Sequence, residues 1–243
     1  MGGIYIIILV DPTQTLADCL LKMNKLLPIL SVLLVVSATI FPVKAQDVKG
    51  SVSAGEKKIA MCIGCHGIAG YQATFPEVHK VPMISGQGAK YIVSALTAYK
   101  KGERKHPTMR GMADSLNEQD MADVAAYYEV HGKVEGASGL PPAPEGNAVV
   151  AELLKKGACV SCHGDSFSKP IDPGYPKLAG QHADYLLVAL KSYKAVGSAQ
   201  VGRANGIMAA VVKPFSNAEL KELALYLSAL PGELKTVPQS NFR

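Results

Sequence analysis

Cys62-Ile63-Gly64-Cys65-His66 and Cys159-Val160-Ser161-Cys162-His163 decide how this chain folds. The two pentapeptides share the pattern Cys-x-x-Cys-His and contain all but one of the chain's 5 cysteines. The pattern is typical of covalent haem attachment, because two thiols at this spacing can each add to one vinyl group of a porphyrin. The adjacent histidine is then placed to bind the iron as the proximal ligand. The sequence therefore predicts two covalently bound haem c groups, with thioethers at Cys62, Cys65, Cys159 and Cys162 and proximal ligands at His66 and His163.

Other uses of cysteine pairs fit this pattern less well. A structural zinc site would need both pairs to converge on one ion, and it has no reason to repeat the adjacent histidine. A redox-active dithiol would need a strand before a helix, which the sequence does not show. Four thiols could also pair as disulfides in an oxidising compartment. Repetition of the whole pentapeptide favours haem over each of these alternatives.

The first 45 residues predict export from the cytoplasm. An apolar run from Leu26 to Pro42 follows Lys22 and Lys25 and ends in Val43-Lys44-Ala45, where small residues suit a signal peptidase. A run of about 17 apolar residues is also near the lower limit for a membrane span, so an uncleaved anchor is the alternative. We interpret residues 1–45 as a signal-peptide region and predict that the mature protein is periplasmic.

The true start of the chain is predicted to be Met23. The segment before it, Met1 to Lys22, contains two acidic residues and the lone Cys19, none of which suits the start of a signal peptide. A chain that starts at Met23 has Lys25 and its amino terminus to supply the positive charge.

The charge balance argues against a nucleic-acid partner. The formal net charge is +5, and loss of residues 1–45 removes three Lys and two Asp and leaves +4. The propionates of two haems would offset most of this excess, and the sequence has no dense stripe of Lys and Arg. The predicted partners are other redox proteins.

The two halves of the chain are copies of one unit. The segment Pro82–Gln87 (PMISGQ) matches Pro176–Gln181 (PKLAGQ). Single residues keep the same order around it: Cys62 with Cys159, Tyr91 with Tyr185, Tyr99 with Tyr193, Arg104 with Arg203, Met109 with Met208 and Leu116 with Phe215. Spacings between these matches differ by a few residues, as expected for two domains with short insertions rather than for a solenoid.

Capping patterns predict where the helices of each copy begin. Ser53-Ala54-Gly55-Glu56 is a capping-box pattern for a helix that runs into the first haem motif, and Asn147 is the predicted cap of its counterpart. The last helix of the first copy is predicted from near Asn117 to about His131. In the second copy Ser216-Asn217-Ala218-Glu219 is another capping box.

A middle helix with one apolar face is predicted in each copy. The face consists of Ile92, Leu96 and Tyr99 in the first copy and of Leu186, Leu190 and Tyr193 in the second. No segment of the sequence alternates convincingly as a strand. The predicted fold is therefore all-α.

We predict two small domains, at residues 47–132 and 147–235, joined by a Pro- and Gly-rich linker at 133–146 and followed by a tail at 236–243. Domains of this size are marginal on a protein core alone. A porphyrin in the middle of each domain supplies the missing apolar surface. The protein without haem is therefore predicted to be largely unfolded.

Methionine is the predicted sixth ligand of each iron. Met208 is the only methionine after Met121, and it is predicted to lie in a Gly-rich loop just before the last helix of the second copy. In the first copy Met109 and Met112 both precede the last helix, and the repeat favours Met109 because it is the residue aligned with Met208. We interpret the other methionines, Met83, Met112 and Met121, as core residues.

His/Met ligation raises the haem potential relative to two imidazoles and leaves no open position for a substrate. This ligand set indicates an electron carrier and not an enzyme. The carbonyls of Pro82 and Pro176 could accept a hydrogen bond from the proximal histidine Nδ1 and fix its orientation. Arg104 and Arg203 could reach haem propionates or could be exposed surface residues.

Four histidines have no counterpart in the other copy, and we interpret all of them as surface residues: His79, His106, His131 and His182.

The tandem order of Cys-x-x-Cys-His, Pro-Lys-Leu-Ala-Gly-Gln and a Met before a capped final helix resembles the dihaem cytochrome c4 family. The resemblance covers about residues 47–235. It implies two tandem class I cytochrome c domains, each wrapped around one covalently attached haem, with the haem edges facing each other. It also implies a periplasmic electron carrier between a quinol-oxidising cytochrome bc complex and a terminal haem-copper oxidase. The first copy departs from the family pattern at Met83-Ile84-Ser85, where Lys-Leu-Ala is usual.

Two other functions stay open at this point. An electron-accepting subunit of a periplasmic dehydrogenase would have the same chemistry as a free carrier and would differ in copurifying with its partner. A dihaem peroxidase-like enzyme would need one iron without its methionine, and the chain is short for that class. Loose association with the membrane is also compatible with the sequence.

Overall fold

The computed structural model describes residues 48–133 and 146–238. The first range contains helices α1 (Val52–Glu56), α2 (Ala60–His66), α3 (Ala89–Lys100), α4 (Pro107–Asp114) and α5 (Glu118–Val130), with two-residue strands β1 (Gln72–Ala73), β2 (His79–Lys80) and β3 (Arg104–Lys105). The second range contains α6 (Ala148–Lys156), α7 (Val160–His163), α8 (Ala183–Lys194), α9 (Gly206–Val212) and α10 (Asn217–Ala229), with strand β4 (Gly202–Arg203). The predicted all-α fold of two similar halves is confirmed.

Several predictions concern residues outside the described ranges. The signal-peptide region at 1–45 and the Met23 start lie there, as do most of the linker predicted at 133–146 and the end of the tail. Within residues 48–133 and 146–238, no helix is long and apolar enough to cross a membrane.

The last helix of each half begins with a capping box. In α5 the Asn117 side chain accepts from the N–H of Asp120 (2.9 Å), whose carboxylate accepts from the N–H of Asn117 (3.1 Å). In α10 the Ser216 hydroxyl and the Glu219 carboxylate make the same exchange. Two backbone N–H groups that the helix itself cannot satisfy are thereby paired at each start. The predicted starts at Asn117 and Ser216 are confirmed.

The predicted cap at Ser53 is wrong, because the cap of helix α1 lies two residues earlier, at Ser51. A tertiary contact decides this position, since the N–H of Ser51 donates to the carboxylate of Asp123 on α5 (2.8 Å). A Cβ at Gly55 would lie 2.1 Å from the carbonyl oxygen of Asp123, so only glycine permits this approach. The chain then turns, and the first haem motif lies on the separate helix α2.

Asp123 joins the first and last helices of domain 1. Its buried carboxylate accepts from Lys58 Nζ (2.7 Å) and Gln119 Nε2 (2.8 Å) in addition to Ser51 N. The hydrogen bond from Lys58 lowers the pKa of Asp123 below its ordinary value, although burial acts in the opposite direction. The ionised carboxylate therefore stabilises the folded state.

Replacing Asp123 by Asn is expected to reduce the free energy of unfolding by roughly 1–3 kcal/mol near neutral pH, because charge-assisted hydrogen bonds are lost. The folded-state pKa is depressed, so this contribution is present above the unfolded pKa of about 3.9 and disappears as pH falls through the folded value. Urea unfolding of Asp123→Asn and the parent protein at neutral and strongly acidic pH measures the difference. A difference of equal size at both pH values would contradict the assignment.

The core of each half lies between its middle and last helices. Ile92, Leu96 and Tyr99 are buried on α3 as predicted. The core of the second half consists of two apolar clusters. On α8 only Leu186 of the predicted face is fully buried, and it belongs to the first cluster, whereas Leu190 and Tyr193 are half-buried and pack against the second. These two clusters share the half-buried residues Leu154 and Leu187.

The end of the second half returns to the first. Lys235 N donates to the carbonyl of Ser85 (3.0 Å), and Leu234 beside it is buried. Gly86 adopts φ 85°, and a Cβ there would lie 2.5 Å from the carbonyl oxygen of Glu233. The segment after Leu230 thus holds the two halves together.

Candidate haem sites

Both Cys-x-x-Cys-His motifs lie on short helices. Cys62 and Cys65 are part of α2, Cys162 is part of α7, and Cys159 is the residue before α7. All four are free, half-buried thiols. Burial raises the pKa of the Cys62 and Cys159 thiols, which disfavours the reactive thiolate that a redox dithiol needs.

The histidine of each motif is oriented by a proline carbonyl. The Nδ1–H of His66 donates to Pro82 O (2.8 Å), and that of His163 donates to Pro176 O (3.2 Å). Burial lowers the pKa of both imidazoles, which keeps them neutral. With Nδ1 occupied, the Nε2 lone pair is the one available to a metal. The predicted acceptor role of Pro82 and Pro176 is confirmed.

The two methionines proposed as sixth ligands occupy equivalent positions. Each is the third residue of a short helix, and its N–H is bound by the side chain that caps that helix. His106 Nδ1 accepts from Met109 N (3.4 Å), and Asn205 Oδ1 accepts from Met208 N (2.9 Å). Met208 therefore lies on helix α9 and not in a loop, because the Asn205 cap outweighs the adjacent Gly206.

Both methionine side chains are half-buried against the cores that hold the cysteines. Met109 packs on the same apolar cluster as Cys62. Met208 packs on the cluster that shares Leu154 and Leu187 with the cluster of Cys159. The structure thus places one methionine thioether near one thiol of each motif, through a shared cluster in the first half and through adjoining clusters in the second.

Met121 behaves as predicted for a core residue. It is 3% exposed, and its sulfur accepts a hydrogen bond from the Thr97 hydroxyl (3.7 Å). Met83 and Met112 are half-buried. Met112 lies one helical turn beyond Met109 on α4.

The prediction that four histidines are surface residues is wrong for His79. His79 is only 4% exposed, and the other three are half-buried. His131 stacks on Tyr127, with ring centroids 4.7 Å apart, and its Nδ1 is 2.9 Å from the Ser85 hydroxyl. Absence of a repeat partner therefore did not indicate exposure. The His106-Pro107 step is a sequence signal for a helix cap that could have identified His106.

Two arginines and four tyrosines meet between the halves, and we call them the Arg–Tyr cluster: Arg104, Arg203, Tyr91, Tyr99, Tyr185 and Tyr193. Strands β3 and β4 pair in antiparallel fashion and set Arg104 opposite Arg203. Arg104 donates to Tyr91 Oη (3.1 Å) and Tyr185 Oη (2.7 Å), and Arg203 donates to Tyr185 Oη (3.3 Å). The alternative that these arginines are exposed surface residues is therefore wrong.

The cluster is strongly positive. Burial acts to raise the pKa of Tyr185, but Arg104 and Arg203 outweigh it and lower the pKa to about 8. Arg104 Nε is buried and has no hydrogen-bond partner among the residues that the structure describes. An unpaired buried guanidinium N–H calls for an anionic acceptor. A haem propionate has that chemistry, so the residues present fit the cofactor.

Comparison with known proteins is consistent with this donor set. The family profile for cytochrome c matches residues 52–129 and 145–231, which together make up more than half of the chain. Cytochrome c4 of Pseudomonas aeruginosa is 30% identical over 213 residues, which cover 86% of this chain and 100% of the relative. The chain belongs to the cytochrome c4 family. It is an electron-transfer cytochrome that carries two covalently attached haem c groups.

Two further proteins are similar to this member of the cytochrome c4 family over most of its length. The crystal structure of reduced cytochrome c4 from Pseudomonas stutzeri aligns with a TM-score of 0.56 at 28% identity, over 74% of this chain and 99% of that one. A thiosulfate dehydrogenase electron acceptor from Thiomonas intermedia is 28% identical over 190 residues, 74% of this chain and 83% of the relative.

Arg104 is expected to raise the potential of the haem in domain 1. Its positive charge also acts on His66, where it lowers the imidazole pKa together with burial. Replacing Arg104 by Gln should lower that potential by tens of millivolts, because a nearby positive charge favours the ferrous state. Redox titrations of Arg104→Gln and of the control Lys101→Gln, which removes an exposed charge from the same domain, test this prediction. Equal shifts in the two variants would contradict it.

Proposed function

We propose that this protein carries electrons in the periplasm between a quinol-oxidising cytochrome bc complex and a terminal haem-copper oxidase. The observation that supports the proposal is the matched pair of sites, each with a neutral histidine held by a proline carbonyl and a methionine on a capped helix. One site belongs to a domain at 47–132 and the other to a domain at 147–235.

In this proposal Cys62, Cys65, Cys159 and Cys162 hold the two haems through thioethers. His66 and Met109 are the axial ligands of the first iron, and His163 and Met208 those of the second. Haem c supplies one-electron chemistry when bound, and filled axial positions leave no place for a substrate. The protein is accordingly a carrier and not an enzyme.

The periplasmic location rests on the signal-peptide region at 1–45 and on the haem motifs. Covalent haem attachment in bacteria is expected outside the cytoplasm. Cleavage after residue 45 would release a carrier able to diffuse between membrane complexes, and an uncleaved segment would hold it near them.

Reduction and oxidation by isolated complexes test the carrier role. The purified oxidised protein should be reduced rapidly by a bc complex supplied with quinol, and the reduced protein should be reoxidised rapidly by an oxidase. Both rates should fall steeply when salt is added if local charge guides docking. If either the reduction or the reoxidation were no faster than its uncatalysed background, this partner assignment would be contradicted.

A second candidate is an electron-accepting subunit of a periplasmic dehydrogenase. The similarity to thiosulfate dehydrogenase electron acceptors favours it. Mild extraction from the native host separates the two roles. A dehydrogenase that remains bound through purification, and that reduces both haems when given its substrate, would support the subunit. Recovery of the cytochrome alone would support the free carrier.

A further inference from the structure

Two glutamines make a reciprocal set of hydrogen bonds between the domains. Gln87 Nε2 donates to Lys177 O (3.0 Å), and Lys177 N donates to Gln87 Oε1 (2.9 Å). Gln181 Nε2 donates to Met83 O (2.9 Å), and Met83 N donates to Gln181 Oε1 (3.0 Å). Each glutamine side chain thus pairs with both backbone groups of one residue in the opposite domain. We call these four bonds the glutamine clasp.

The clasp is buried and its amides are fixed in orientation. Gln87 and Gln181 are both 4% exposed. Each Oε1 also accepts from the N–H of the next residue in its own chain segment, Gly88 N (2.9 Å) and His182 N (3.0 Å). Loss of a buried hydrogen bond of this kind is costly in free energy, because its donor and acceptor would have neither a protein partner nor water to bind.

Each clasped residue directly follows a proline that orients a proximal histidine. The N–H of Met83 and the carbonyl of Pro82 are the two ends of one planar peptide group. Gln181 accepts at the N–H end, and His66 donates at the carbonyl end. The same arrangement links Gln87, the peptide between Pro176 and Lys177, and His163. A hydrogen bond at one end of a peptide fixes its plane and strengthens the acceptor at its other end.

We propose that each glutamine is a positioning residue for the proximal histidine of the opposite domain, Gln181 for His66 and Gln87 for His163. A stronger acceptor at Nδ1 makes the imidazole a better electron donor to iron, which favours the ferric state. The potential of each haem therefore depends on the presence and docking of the other domain. The inference rests on the proposed roles of His66 and His163 as proximal ligands.

Loss of Gln87 leaves more of the surrounding contacts in place than loss of Gln181. The Lys177 side chain donates to Gly86 O (2.8 Å) and forms an ion pair with Glu233. The peptide between Pro176 and Lys177 therefore keeps contacts with the first domain and the C-terminal segment when Gln87 is removed. We expect a larger effect from loss of Gln181 than from loss of Gln87.

The test compares Gln181→Ala and Gln87→Ala in the full chain with both haems attached. The midpoint potential of each haem is measured by redox titration followed by NMR, with haem signals assigned through contacts to residues of their own domain. Gln181→Ala should raise the potential of the first haem, and Gln87→Ala should raise that of the second by less. The Nδ1 proton resonance of the opposite histidine should move in the same variants.

Two further variants keep the test decisive. Gln181→Glu retains an acceptor for Met83 N and should leave the first haem closer to the parent, even if the alanine variant folds poorly. Lys191→Gln breaks the interdomain bond to Glu77 (2.6 Å), away from both proximal loops, and should shift neither haem selectively. Shifts confined to the haem of the mutated domain, equal shifts in both haems, or none in folded protein would overturn the inference. The spectrum of the unaltered protein reports separately whether both irons have histidine and methionine ligands.

Discussion

Replacing Met208 by alanine is expected to open one of the two irons to carbon monoxide while the other stays closed. Met109→Ala should open the other one. The reason is that each methionine is proposed to fill the sixth position of one haem, and alanine has no atom that can bind iron. Because axial ligands set haem potentials over about 0.8 V, the affected haem should fall in potential by on the order of 0.2 V.

Met112→Ala is the matched control for this prediction. Met112 lies on the same helix as Met109, is also half-buried and differs by one turn. Its loss should change neither carbon monoxide binding nor either potential appreciably. Binding of carbon monoxide by Met112→Ala, or its absence in Met109→Ala, would show that the ligand of domain 1 has been assigned to the wrong residue.

Replacing all four haem-binding cysteines by serine is expected to abolish most of the folded structure. The helices that carry the motifs have only 7 and 4 residues. Isolated helices of fewer than about 12 residues are marginal in water, so these depend on packing around the haem. Loss of both haems should remove most of the helical circular dichroism signal and the cooperative unfolding transition.

A two-cysteine variant provides the comparison. Cys62→Ser with Cys65→Ser removes only the first haem, so the second domain should keep its absorption spectrum and roughly half of the helical signal. A four-serine protein that retains a native circular dichroism spectrum and unfolds cooperatively would contradict the role of haem in the core.

Local sequence signals predicted much of the fold. The caps at Asn117, Asn147 and Ser216 were correct because each side chain accepts from the backbone N–H three residues later. Ser53 failed as a cap because Asp123, far away in sequence, binds the backbone of Ser51. Local patterns contain no information about such a contact.

The interface between the domains was the least predictable part. The repeat correctly aligned Met109 with Met208 and the two Gly-Gln steps with each other. It gave no indication that Gln87 and Gln181 each bind the backbone of the opposite domain, or that Arg104 and Arg203 pair with tyrosines, because two copies in sequence do not specify how they dock. His79 was misjudged for the same reason, since it lies against Tyr185 of the other domain.

The most direct test of the central claim is the absorption spectrum of the reduced mature protein before and after addition of carbon monoxide. We expect no change, because both irons should already have six ligands, with Met109 and Met208 in the sixth positions. A clear shift in the spectrum of either haem would mean an open or labile iron. The proposed electron-carrier function would then be contradicted, in favour of an enzyme or a gas-binding protein.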